Sequence, residues 1–155
     1  MFIFKNLLSK LITPLFALFI VMSSQASFAE TTQANEHISF NEPWVRAMPP
    51  MIMHTAGYVE IHNASTVADK LINVWSPVIN AIEVHQTKQV DGVFQMLEAE
   101  NTSIPPNGKL VLQPGGYHLM MMGIKSPLVE NETLVINFEF ERAGVIQMNF
   151  PIRKK

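Results

Sequence analysis

Leu134-Val135-Ile136-Asn137-Phe138-Glu139-Phe140-Glu141 is the stretch that decides the fold class. It ends in strict alternation, with Phe138 and Phe140 toward one side of a strand and Asn137, Glu139 and Glu141 toward the other. Such alternation marks a half-buried antiparallel strand. Working outward, candidate strands follow at Ile38–Ala47, Thr55–His62, Lys70–Trp75, Ala81–Lys88, Val93–Ala99, Lys109–Leu112, Tyr117–Gly123, Thr133–Glu141 and Val145–Ile152. Turn residues separate them: Met48-Pro49-Pro50, Asn63-Ala64-Ser65, Ser76-Pro77, Asp91-Gly92, Pro105-Pro106-Asn107-Gly108, Pro114-Gly115-Gly116, Ser126-Pro127 and Ala143-Gly144. Short, regularly spaced strands rich in β-branched and aromatic residues indicate an all-β sandwich or barrel. No long stretch has a helical period, and there is no internal repeat or low-complexity tract.

The N-terminal segment has the layout of a secretory signal peptide. Lys5 and Lys10 supply its positive region, Leu11 to Met22 its apolar core, and Ser27-Phe28-Ala29 the small residues of a cleavage site. Cleavage is expected after Ala29. The apolar core is short for a membrane span, which takes about 20 residues. The expected organisation is a signal peptide over 1–29, a polar arm over 30–37, a β domain over 38–152 and a basic tail over 153–155. Taking 29 residues from 155 leaves 126, enough for one domain with its own core. Loss of Lys5 and Lys10 takes the formal charge from −2 to −4, which gives no footing for nucleic-acid binding. No second segment is apolar enough to span a membrane once the leader is removed. The chain has no cysteine. That excludes a disulfide framework, a blue-copper electron-transfer site and a cysteine-type zinc site.

Four soft or borderline donors stand out: His85, Met96, His118 and Met120, spaced H-x10-M-x21-H-x-M. A hairpin turning on Asp91-Gly92 pairs Val90 with Val93 and His85 with Glu98. Met96 then shares a face with His85, on the diagonal, where neighbouring strand positions lie about 7–8 Å apart. His118 and Met120, separated by one residue, also project to one face of their strand. Two neutral imidazoles and two thioethers suit Cu(I), and suit poorly the hard cations that take oxygen donors. A site without thiolate holds copper less tightly than a thiolate trap, which serves a carrier that must release it. Taken singly, each donor has a plainer reading: methionine fills core gaps, and a lone histidine is an ordinary surface or core residue. Met122 shares the parity of His118 and Met120, as a further donor or a hydrophobic wall. Met121 points the other way, toward the core.

The spacing and its surroundings resemble the periplasmic copper chaperone family PCu(A)C. Trp44-Val45-Arg46, Ala56-Gly57-Tyr58, Glu83-Val84-His85, Asp91-Gly92-Val93 and Gly116-Tyr117-His118-Leu119-Met120-Met121-Met122-Gly123 all look like the family's text, over about residues 38–152. The resemblance implies a cupredoxin-like β-sandwich or barrel that binds Cu(I) through His85, Met96, His118 and Met120. It further implies a non-enzymatic periplasmic protein that delivers copper to the CuA centre in subunit II of cytochrome c oxidase, sometimes beside a thiol-containing assembly factor. This chain departs from many relatives in two ways. Gln86 stands where a methionine is frequent, and the C-terminus, Ile152-Arg153-Lys154-Lys155, lacks a His/Met-rich tail, so no second copper site is expected there.

Met48, Met51, Met53 and His54 crowd around Pro49-Pro50. They read either as an auxiliary soft-metal patch or mobile flap, or as a loop whose methionines pack on the barrel end. His37 and His62 read as surface residues. Competing functions are a periplasmic copper buffer or resistance protein with no dedicated oxidase client, and a metal-free interaction module. A copper enzyme has no support, for want of a second ligand set or a substrate-cleft motif.

Overall fold

The structure is a computed structural model that describes residues 37–49 and 51–154. The expected signal peptide and nearly all of the expected arm lie outside the described residues. The described chain is all β: β1 (Ile38–Arg46), β2 (His54–Asn63), β3 (Asp69–Trp75), β4 (Ile79–Val90), β5 (Val93–Glu98), β6 (Ser103–Ile104), β7 (Gly108–Leu112), β8 (Tyr117–Ile124), β9 (Thr133–Phe140) and β10 (Gly144–Arg153). Among the described residues no helix is long and apolar enough to cross a membrane.

The strands join in the order β5-β4-β8-β7-β2-β1-β10-β9-β3-β6, with a further β8–β2 pairing. Most pairings are antiparallel, as expected of a cupredoxin-like antiparallel sandwich or barrel, but the sheet is mixed: β1 runs parallel to β10, and β7 parallel to β8. The first joins opposite ends of the domain, Val45 with Ile152, whereas the second is a single bridge, Leu112 with Tyr117, across the short turn between the two strands. They leave no trace in the local alternation from which strand direction was inferred. β6 was not expected either. With only Ser103 and Ile104 paired to β3, it is too short to show a period.

The alternation in β9 is honoured throughout. Leu134, Ile136, Phe138 and Phe140 are buried, while Thr133 and Val135 face out. Phe138 stands at the centre of an aromatic core, its ring 5.7 Å from Phe150 and 5.0 Å from Phe40. Val59 and Ile61 from β2 and Leu119 and Met121 from β8 join the same buried cluster. Gly57 lies opposite Leu119, where an added Cβ would come within 2.6 Å of the Met121 methyl. The small residue lets β2 and β8 approach with Met121 seated in the core, as its parity required.

The β4–β5 hairpin turns on Asp91 and Gly92, both at positive φ, 51° and 83°, as a two-residue primed turn demands. It pairs Val90 with Val93 and His85 with Glu98, the register inferred from the sequence. That hairpin, with β8 on its other side, forms the end of the sheet that carries the donors.

Candidate metal centre

β4 lies between β5 and β8, so the two donor-bearing segments meet across one strand. His85 pairs directly with His118, and Glu83 with Met120. On the far side of β4, Met96 pairs with Thr87, two residues along from His85. Period-two alternation therefore places His85, Met96, His118 and Met120 on one face of three adjacent strands. The opposite face of β8, Leu119 and Met121, is fully buried in the core.

The two imidazoles form the heart of the arrangement, with ring centroids 6.1 Å apart and planes inclined at 59°. Each is held from a position two residues earlier on its own chain. His118 Nδ1 lies 3.2 Å from the Gly116 carbonyl oxygen. A carbonyl only accepts, so Nδ1 carries the proton and Nε2 of the neutral ring keeps its lone pair free. His85 Nε2 lies 2.8 Å from Glu83 Oε2. Donation from Nε2 to that carboxylate leaves Nδ1 as the free nitrogen of the neutral ring. An oxygen acceptor behind a metal-binding imidazole fixes its tautomer and raises its basicity.

His118 is buried, His85 partly so, and Met120 is half-covered beside the small Ala56 of β2. The Trp44 and Tyr58 rings lie 4.5 Å apart and inclined at 34° on this same outer face, with the Arg46 guanidinium 5.8 Å above the tyrosine ring. Extending the β2–β8 register by one residue sets Tyr58 beside His118. Farther along β2, Glu60 is held below the usual carboxylate range, first by the hydrogen bond from Lys109 and then by that with His62. His62, expected as a plain surface residue, thus has a partner.

The structure brings His85, His118 and Met120 together and leaves Met96 at the rim. Met96 is 60% exposed and sits on β5, an edge strand at one end of the sheet order. Met96 is the diagonal neighbour of His85 on the adjacent strand, but two strand spacings, about 9.6 Å, separate β5 from β8, so its thioether reaches the His118 imidazole only by folding across β4. Met96 is more accessible than the half-buried Met120 and Met122. The role of Glu83 escaped the sequence reading. A signal was present: an acid two positions before a histidine on a strand shares its face.

Comparisons with known proteins bear on the fold and the family. In sequence, the chain is 28% identical over 125 residues to the uncharacterised protein RP573 of Rickettsia prowazekii, covering 78% of this chain and 68% of that one. In structure, it is similar to Cu(I)-DR1885 from Deinococcus radiodurans, with TM-score 0.63 and 29% identity, covering 80% of this chain and 83% of that one. It also shares its fold with the apo PCuAC domain of PmoF1, with TM-score 0.65 and 24% identity over 77% of this chain and 95% of that one. The cupredoxin-like β fold expected from the resemblance is the one observed. The family model "Putative lipoprotein LpqE-like" matches residues 38–152, and the chain belongs to this PCuAC-type, LpqE-like family.

Proposed function

We propose that this protein is an exported, non-enzymatic copper carrier that takes Cu(I) as cargo through His85, His118, Met120 and Met96 and hands it to the CuA centre of cytochrome c oxidase. One observation carries the reading: a cross-strand histidine pair at 6.1 Å with a thioether beside it, each ring held by an oxygen acceptor. The solved Cu(I) form of the DR1885 neighbour supports copper as the cargo. The donor chemistry fits as well, since all four ligands are neutral and two are soft.

Release follows from the asymmetry of the site. His118 is fixed and buried, whereas Met96 stands in solvent on an edge strand. Met96 is therefore the ligand that an incoming thiolate or imidazole displaces first, while the histidines keep hold of the ion. Acid competes with copper for the imidazoles, since a protonated ring cannot ligate. Affinity should accordingly fall as the solution is acidified.

Anaerobic Cu(I) titration against a competing chelator tests the first step. One equivalent bound by the wild type and none at the same chelator strength by His85→Ala supports the carrier; equal binding by both ends it. Cytochrome oxidase activity in a deletion strain at limiting copper tests the client. Normal oxidase with increased copper sensitivity would favour a copper buffer that uses the same site.

A further inference from the structure

β8 presents three sulfur or imidazole donors on its outer face rather than two: His118, Met120 and, one further step along, Met122. Met122 has a partner outside the H-x10-M-x21-H-x-M set. In the β2–β8 register His54 stands directly opposite Met122, just as Ala56 stands opposite Met120. Directly opposed residues of an antiparallel pair share a face, with Cβ atoms about 4.5–5.5 Å apart. An imidazole and a thioether can close on one metal ion across that gap.

His54 is exposed and Met122 half-buried, so the pair is open to solvent. Its backbone is tied down: the amides of Gly123 and Ile124 both donate to the Met53 carbonyl, at 2.9 and 3.2 Å. This fixes the start of β2 against the end of β8. Met51, three residues before His54, is 90% exposed. Core filling does not explain a methionine left in solvent on the loop that leads into His54. Met53 instead lines a small cavity with Met48, Ile52 and Ile124, which is the packing role read as the plainer alternative for this loop. Among the described residues no three His, Cys, Asp or Glu side chains are grouped to hold a metal. A nitrogen–sulfur pair of this kind selects a monovalent soft ion.

We infer that His54 and Met122 form a second, weaker site for a monovalent soft metal ion, Cu(I) or Ag(I). Met120 lies between it and the His85–His118 pair. Adjacent same-face residues of β8 are about 6.7 Å apart, so an ion moves between the two positions by exchanging one thioether for another at Met120. No change of oxidation state is involved. The site stands or falls separately from the carrier reading.

Titration of methyl-labelled methionine protein with Ag(I), followed by NMR, tests it. The wild type should take up two equivalents, the second bound about tenfold or more weakly, and the Met122 methyl should move only with the second. His54→Asn and Met122→Leu should each abolish the second equivalent while leaving the first within about threefold. His118→Ala should lose the first and keep the Met122 response. A single equivalent in the wild type, a second that survives both variants, or loss of the first in His54→Asn overturns the inference. Failure of the carrier reading has a different signature: the Met96 and Met120 methyls stay still whatever Met122 does.

Discussion

Two ends of the same sheet are built by the same alternation and put to opposite uses. At the β3–β9–β10 end the inward residues are Phe138, Phe140 and Phe150, all buried and stacked on one another. At the β4–β5–β8 end the inward residues of β8 are Leu119 and Met121, while the outer face carries His118, Met120 and Met122. β5 goes further and buries none of its residues, with Phe94 and Met96 in solvent. The first end gains its stability by excluding water. The second keeps one sealed face and leaves the other accessible, as the ligand exchange of the proposed carrier would need. On that proposal the fold separates what holds the protein together from what would hold the cargo, and the two should fail independently.

The sharpest way to break that separation is His118→Ala. It removes the most buried donor, and Cu(I) affinity should fall by about a thousandfold, about 4 kcal/mol, in an anaerobic chelator competition. Far-UV circular dichroism should be unchanged. The converse is Phe138→Ala, which opens a cavity in the aromatic core and should cost about 3–5 kcal/mol of stability by urea unfolding. The fraction that remains folded should still bind copper at wild-type affinity. If either variant damaged both properties in proportion, the two ends would be one cooperative unit.

Glu83→Gln sharpens the comparison within the site. The amide keeps the size of the carboxylate but loses its charge and its strength as an acceptor behind the His85 ring. Loss of such an outer partner typically costs about 10–100-fold in metal affinity, and about tenfold is expected here, with no change in urea midpoint. An unchanged affinity would show that the 2.8 Å contact plays no part in holding copper.

Legibility in the sequence followed the range of each interaction. The β4–β5 register was readable because Asp91-Gly92 requires a two-residue turn, and every pair back to His85 follows by counting. The face shared by His118 and Met120 was readable from parity. The direct pairing of His85 with His118 was not, because β4 and β8 are brought together by packing between distant segments. The parallel closure of β1 on β10 was hidden for the same reason. Exposure was hidden as well. Nothing in Val93-Phe94-Gln95-Met96-Leu97 says that this strand lies at an edge with every residue exposed; its apolar content argues the reverse. Glu83 had been quoted only as part of a family pattern, when its position two residues before His85 already placed it on the donor face.

Met96→Leu is the smallest perturbation and bears on how the open end works. Leucine keeps the volume and removes only the sulfur, and three donors remain for an ion that tolerates low coordination. Affinity should drop by about tenfold or less, at most about 1.4 kcal/mol. Transfer should respond differently from binding. If Met96 is the ligand that leaves first, its loss pre-opens the coordination position that an acceptor must enter, so stopped-flow transfer to a thiolate acceptor should speed up while affinity falls. A variant that bound more weakly and also transferred more slowly would mean that Met96 guides the acceptor in rather than standing in its way. The exposed apolar neighbours on β5, Phe94 and Leu97, would then become the residues to vary next, since a docking surface and a labile ligand on one edge strand make opposite demands on that transfer rate.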